Sequence, residues 1–396
     1  MTATEQQQQS SIADQILKML YAPHKAFKEI MQSPKYMGPI LILILFIAAN
    51  IAFGYSLISK TYVEQTLPSG AQLDEWTENA TKWTSSSGAY IAENFNDFMN
   101  GSYYGNRSIE FSMSNSSRIT MELLNIGPIN CLGSDGFKNV SVRIKLVSPL
   151  AEPESASIYM FSRSISSYFL YNLTDTLSNS TNTVWNNVTI PLANANWVNY
   201  NADWGNVTGL RLDLSWPQNS SINVLVDGLF FRGNFKSPAE TEAFSYLMNF
   251  SIVGLMQFAF EWLFLGGIIY ILARALGGKT MWRPVLISIG FVLIVLFVQT
   301  VINAIAISTL PNLYYPLELL GGVQGETAAA AAKITDITWL VSAITSYLRV
   351  VIYIWTVVLC ALATRVLNAT SWAKSALISV VAFFATITLM SLLLGI

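Results

Sequence analysis

The sequence predicts a membrane all-α region of five transmembrane helices together with an extracellular all-β sandwich of jelly-roll type. Three features point there. Only 12% of the 396 residues are charged and 52% are hydrophobic, whereas soluble domains carry about 25% charged residues. Five apolar runs reach the roughly 20 residues that cross a bilayer as a helix. Between the first and second runs lies a long polar segment, 60–243, in which the apolar period shifts to two.

The five predicted spans are 38–59, 244–273, 285–307, 337–364 and 375–394. Glu261 is the one charged residue in the second and Arg349 the one in the fourth; the other three have none. Orientation follows the cations of the short flanking loops. Lys18, Lys25, Lys28 and Lys35 precede the first span, Arg274, Lys279 and Arg283 separate the second from the third, and Arg365 and Lys374 separate the fourth from the fifth. The short outer loop, 308–336, has Lys333 against Glu318, Glu326 and Asp336. The expected arrangement is a multi-pass cell-membrane protein with a cytoplasmic N-terminus and with 60–243 and the C-terminus outside. The 37-residue leader and 22-residue uncharged run read as an uncleaved anchor rather than a signal peptide.

Residues 1–37 are expected to be a cytoplasmic tail and a juxtamembrane amphipathic helix. Residues 1–11 are Gln-rich and read as disordered. From Ile12, the positions Ile16, Met19, Leu20, Phe27, Ile30 and Met31 form an apolar face broken near Pro23, with lysines opposite. That pattern fits a helix lying on the inner leaflet, or an ordinary juxtamembrane helix with no partner.

Residues 60–105 read as a helical or irregular stalk. From Arg107 onward, strands are expected at 107–114, 117–124, 138–147, 156–163, 166–173, 183–192, 207–215 and 221–232, forming a sandwich over 106–236. Alternation is plain in Val140, Val142, Ile144, Leu146 and in Leu210, Leu212, Leu214. Turn residues such as Asp135-Gly136 and Trp216-Pro217 separate the runs.

Twelve N-x-S/T sequons occur. Asn79, Asn100, Asn106, Asn115, Asn139, Asn172, Asn179, Asn187, Asn206 and Asn219 lie in the polar segment and Asn249 at the outer end of the second span. Asn368 falls in a cytoplasmic loop and should go unused. Their confinement agrees with the charge-derived sidedness. An abundance of Asn, Ser and Thr explains some of these sequons but not their placement.

Composition excludes several classes. Net charge is −2 and no basic stripe appears, so nucleic acid is not a partner. The single histidine, His24, and two cysteines, Cys131 and Cys360, form no triad, metal set or disulfide framework. No Walker, dinucleotide or metalloprotease motif is present, and no cofactor or catalytic activity is expected. Segment 60–243 has 11 Lys and Arg against 17 Asp and Glu, a net of −6.

The intramembrane charges carry their own expectation. At 1.5 Å per residue, Glu261 lies about 18 Å and Arg349 about 24 Å from the inner edge. The offset predicts a buried ion pair between the second and fourth spans, with Gln257 and Gln299 near the same depth. The pair either fixes helix register or marks a solute path.

Two resemblances follow from particular residues. Trp185, Asn187, Ile190, Pro191, Leu192, Trp197, Trp204 and Leu210, then Val226-Asp227-Gly228-Leu229-Phe230-Phe231, resemble carbohydrate-binding modules of the galactose-binding-like jelly-roll class. The resemblance implies that the Asp-containing strand closes the sandwich and that exposed faces of Trp185, Trp197 and Trp204 stack on sugar rings. The other reading of these tryptophans is core or edge packing. No carboxylate pair has hydrolase spacing.

The second resemblance begins at Tyr21-Ala22-Pro23-His24-Lys25-Ala26-Phe27-Lys28-Glu29-Ile30 and Pro34-Lys35-Tyr36-Met37-Gly38-Pro39-Ile40. With Ala273-Arg274-Ala275-Leu276-Gly277-Gly278-Lys279-Thr280-Met281-Trp282-Arg283-Pro284-Val285-Leu286, it is similar to the prokaryotic branch of the YIP family, over 15–59 and 245–396. That implies an integral membrane protein without catalytic residues. Eukaryotic members bind Rab GTPases, but the large outer insert departs from them. The expected role is a glycoprotein displaying its sandwich to an envelope glycan or surface protein, its other partner being the lipid bilayer. The rivals are a transporter or channel component and a scaffold recruiting cytosolic partners through 12–35.

Overall fold

A computed structural model describes residues 11–394 except 180 and 280; the tail expected to be disordered lies almost wholly outside these. In chain order the elements are α1 (Ile12–Tyr21), α2 (Pro23–Gln32), α3 (Met37–Lys60), β1 (Thr61–Leu67), β2 (Trp83–Ser85), β3 (Tyr90–Asn94), β4 (Ser108–Ile129), β5 (Asn139–Ser148), β6 (Ser155–Ser162), β7 (Ser164–Asn172), α4 (Thr174–Ser178), β8 (Asn186–Pro191), β9 (Val198–Tyr200), β10 (Val207–Lys236), α5 (Pro238–Thr241), α6 (Ala243–Ala275), α7 (Trp282–Val292), α8 (Ile294–Ser308), β11 (Leu313–Tyr315), α9 (Leu317–Leu320), α10 (Glu326–Asn368) and α11 (Trp372–Leu394). They divide into two compact units, one of residues 1–61, 237–313 and 337–396, the other of residues 62–236 and 314–336.

In the helical unit, five helical segments among the described residues are long and apolar enough to cross a membrane: 37–60, 243–275, 282–308, 326–368 and 372–393. The third is built of α7 and α8, which meet at Leu293. Helix α3 packs on α6, α7 and α8, and its small residues set the approach. A Cβ on Gly38 would lie 2.0 Å from the Phe291 ring, and one on Gly54 would lie 2.4 Å from Phe250. Such close contact supplies dispersion energy in place of the hydrophobic drive that lipid removes. The Trp262 indole N–H donates to the Leu286 carbonyl at 2.6 Å, tying α6 to α7.

The N-terminal segment differs from the expected leaflet helix. Ala22 interrupts it and Pro23 opens α2, where a missing N–H costs nothing. Ile16, Met19, Phe27 and Ile30 are buried in the same cluster as Ile42, Phe258 and Phe291. Lys18 bridges Asp14 and Glu29 across the two helices. The apolar stripe read as membrane-facing is spent on the bundle itself.

The second unit is an antiparallel β-sandwich. Strands β4 and β10 are long and run through both of its layers. The 207–215 half of β10 lies between β4 (118–129) and β6, while 223–232 lies between β4 (109–112) and β5. Register breaks at Ser215, Ser220 and Ile222, and positive φ at Asn115, mark the crossing. β7 and β9 extend the first layer, and β3 and β8 the second. Ile119, Met121, Leu123, Leu210, Leu212, Leu214, Val140, Val142 and Ile144 point into one core. Each such side chain contributes about 1.5–3 kcal/mol on burial.

Two expectations are corrected here. The paired runs 107–114 and 117–124 are one strand, as are 207–215 and 221–232, because the chain bends without leaving the ladder. Residues 60–105 are not a stalk: β1 pairs the end of β10, and β2 and β3 pair β4. Trp76 and Trp83 are buried in the sandwich core.

Candidate functional site

Of the three tryptophans expected to meet sugar, two are committed to packing. Trp197 is 7% exposed. Its indole N–H donates to the Pro191 carbonyl at 2.8 Å, and its ring lies against Tyr171 and Trp204. Trp204 stacks flat on Phe169, centroids 3.8 Å apart. Trp185 is half-buried and donates to Asp97 at 3.0 Å. The turns that carry Trp197 and Trp204 fold both rings onto the β7 side of the core, where large aromatic area is worth most.

The outward aromatic surface is built instead from tyrosines. Because side chains alternate along a strand, the inward Ile158 and Met160 of β6 leave Tyr159 outward, and the inward Phe169 of β7 leaves Tyr168 outward. Strand pairing sets Arg211 between Glu122 and Tyr159 and Tyr168 against Tyr200; between β6 and β7, Tyr159 pairs Leu170 and Tyr168 pairs Phe161, so the two tyrosines meet on a diagonal. Tyr168 stacks on Tyr200 at 4.6 Å and 29°, and Tyr159 leans on Tyr168 at 5.4 Å. The Arg211 guanidinium lies 4.1 Å over the Tyr159 ring and 3.9 Å from Glu122. Its buried Nε has no hydrogen-bond partner. In the adjoining row, Arg118 clamps Asp213 through Nε at 2.8 Å and through Nη2. Tyr159, Tyr168, Arg211 and Glu122 are half-buried and Tyr200 is exposed. At about 4.8 Å per strand, five strands span a row of roughly 19 Å. Rings held by their neighbours and flanked by charged hydrogen-bonding groups can stack on an apolar ring face while bonding its hydroxyls.

The outer side of the other layer is closed by buried charge. Arg232 holds Glu64 through two bonds of 2.9 Å and Glu318 at 2.6 and 2.7 Å. Arg143 holds Glu326 at 2.7 Å and the Tyr104 hydroxyl at 3.2 Å. Asp227, in the strand expected to close the sandwich, is fully buried; it accepts from the backbone N–H groups of Met99 at 2.6 Å and Gly228 at 2.7 Å. Burial, reinforced by Asp74, pushes its carboxyl up to about 9. These contacts fix 74–105 and 314–336 onto the strands.

Among the sequon asparagines, Asn100, Asn106, Asn115, Asn172, Asn179, Asn187, Asn219 and Asn249 are exposed, while Asn79, Asn139 and Asn206 are half-buried. Asn79 accepts from the Thr81 backbone N–H at 2.9 Å.

In the helical unit, Gln257, Glu261, Gln299 and Arg349 line one cavity of about 230 Å³. The expected contact is corrected in detail: Glu261 and Arg349 share this space but form no ion pair with each other.

Fold and site together define a multi-pass membrane architecture carrying a β-sandwich with an aromatic, charged sheet face. Within the chain, residues 210–394 match the model of the Yip1 domain, just under half its length. No curated protein matches. Among solved structures, the chain is similar to a family 11 carbohydrate-binding module from Clostridium thermocellum in complex with a β-1,3-1,4-mixed-linked tetrasaccharide, at 16% identity, covering 42% of this chain and 94% of that one, TM-score 0.28. A β-1,2-glucanase from Parabacteroides distasonis matches at 16% identity over 39% of this chain and 24% of that one, TM-score 0.29. A family 30 carbohydrate-binding module of a Clostridium thermocellum cellulosomal cellulase matches at 12% identity over 39% and 90%, TM-score 0.27.

Proposed function

We propose that this is a non-enzymatic, multi-pass membrane protein of the Yip1 type. Its N-glycosylated sandwich projects outside the cell and binds an envelope glycan through the outward face of β6, β7 and β9. The observation that carries the reading is the run Tyr200–Tyr168–Tyr159–Arg211–Glu122 across five strands, its members paired in register except Tyr168 and Tyr159, which meet diagonally between β7 and β6. The sidedness rests on the nine flanking cations and the clustered sequons. Of the sequons, Asn172 stands at the end of β7 opposite Ser157, four residues from Tyr168 and on the same outward face, so a glycan there would flank the tyrosine row.

The full chain in nanodiscs, applied to a polysaccharide and glycan array, tests this. Binding is expected for the wild type, with a loss of at least about tenfold in affinity for Tyr168→Ala and Tyr200→Ala. Array binding unchanged in both variants sinks the reading. Capture of a surface protein in place of any glycan, lost in the same variants, would make that protein the occupant. Glycosidase treatment of intact cells should lower the apparent mass; an unchanged mass in intact cells that falls only after lysis would invert the topology. Recruitment through 12–35 is disfavoured, since the apolar side of α1 and α2 is already buried.

A further inference from the structure

Four helices of the helical unit converge on the cavity of about 230 Å³. Gln257 and Glu261 stand one turn apart on α6, Arg349 and Tyr353 one turn apart on α10, Gln299 comes from α8 and Thr386 from α11. Two of these are already occupied: the Thr386 hydroxyl donates to the Ala382 carbonyl at 2.8 Å, and the Tyr353 ring leans on Phe383 at 5.2 Å. Gln257, Glu261, Gln299 and Arg349 make no hydrogen bond or ion pair within the described residues.

A carboxylate and a guanidinium within apolar spans each cost a few kcal/mol unless matched. Here both border one small space without touching. An occupant with a single charge satisfies one of them and leaves the other unmatched where the dielectric is low. An occupant with an anionic and a cationic end satisfies both and adds no net charge. The two carboxamides offer donors and acceptors to either end. The remaining wall, including Phe383, Ile387 and Met390, suits a hydrocarbon side chain. At about 18 and 24 Å from the inner edge, Glu261 and Arg349 fall in the outer half of a core roughly 30 Å thick, and the lipid arm of the test separates a free small molecule from a phospholipid head.

We propose that this cavity binds a small zwitterion with an apolar side chain, of the α-amino-acid class, its carboxylate on Arg349 and its ammonium on Glu261. The cavity and the tyrosine row share no residue and belong to different units, so failure of one reading leaves the other untouched.

The test uses the full chain in non-ionic detergent and labelled L-leucine or L-phenylalanine in an equilibrium binding assay. Competitors are 4-methylpentanoate, which keeps the anion alone, and isopentylamine, which keeps the cation alone. Saturable amino-acid binding is expected, with each half-molecule weaker by at least about tenfold. Glu261→Gln should weaken leucine and bring 4-methylpentanoate level with it; Arg349→Gln should do the same for isopentylamine. These reversals report charge matching and cannot arise from misfolding. The half-molecule comparison on the wild type decides the matter even if a variant does not fold. No saturable amino-acid binding, equal competition by the half-molecules, or binding of phosphoethanolamine lipids alone would overturn the proposal.

Discussion

Asp227 ties a buried acid to measurable pH behaviour. Its folded carboxyl is held up to about 9, first by burial and then by Asp74, whereas an unfolded Asp titrates near 3.9. Between those limits the native state keeps a proton that the unfolded chain releases, so stability falls as pH rises, by at most about 1.4 kcal/mol per pH unit. We expect the sandwich to melt at a higher temperature at pH 5 than at pH 8.5, and Asp227→Asn to flatten that slope; a wild-type profile flat over this range removes the protonated acid. Arg232 makes a second prediction. Arg232→Gln strands Glu64 and Glu318, at a cost of about 3–5 kcal/mol, read as loss of the sandwich transition in a thermal scan. At this scale the sequence was only partly legible. Tryptophans were the visible candidates for a ring-binding surface, yet an indole can serve the core as well as a ligand. Tyr159, Tyr168 and Tyr200 are spread over three strands and meet only once those strands pair, directly for Tyr168 and Tyr200 and diagonally for Tyr159 and Tyr168, which no local window reveals.

Helices and strands were legible to different degrees for a physical reason. A span needs only about 20 consecutive uncharged residues, so all five could be read locally, although the break at Leu293 could not. The sandwich strands showed where inward positions alternate over several residues, as in Val140 to Leu146. β2 and β3, three and five residues long, carry too little pattern, and their pairing with β4 is set by distant sequence. Helix α3 supplies a test of close packing. Gly38→Val places methyls where the buried Phe291 ring sits and should cost about 1–3 kcal/mol; Phe291→Ala in the same chain should restore part of the folded yield in size-exclusion chromatography. A Gly38→Val chain as stable as wild type would mean that α3 and α7 do not meet closely.

At the scale of the whole molecule, neither unit is one stretch of chain. A fragment such as 104–236 lacks β1, β2 and β3 and also lacks the 314–336 segment, leaving the edge of β4 bare and Arg143 and Arg232 without their acids. We expect it to aggregate in conditions where the intact protein stays monodisperse; a soluble, cooperatively melting fragment would show that the late segment is dispensable. The late segment also bears on how the chain is made. Glu318 and Glu326 are synthesised after α6, α7 and α8, so two arginines emerge from the ribosome long before the acids that neutralise them. Between them lie two helical segments long and apolar enough to cross a membrane, so if both cross, the acids return to the side on which the arginines were left. A chain in which the two segments ended on opposite sides of a membrane would leave Arg143 and Arg232 without Glu326 and Glu318, buried charge that the sandwich could not close over.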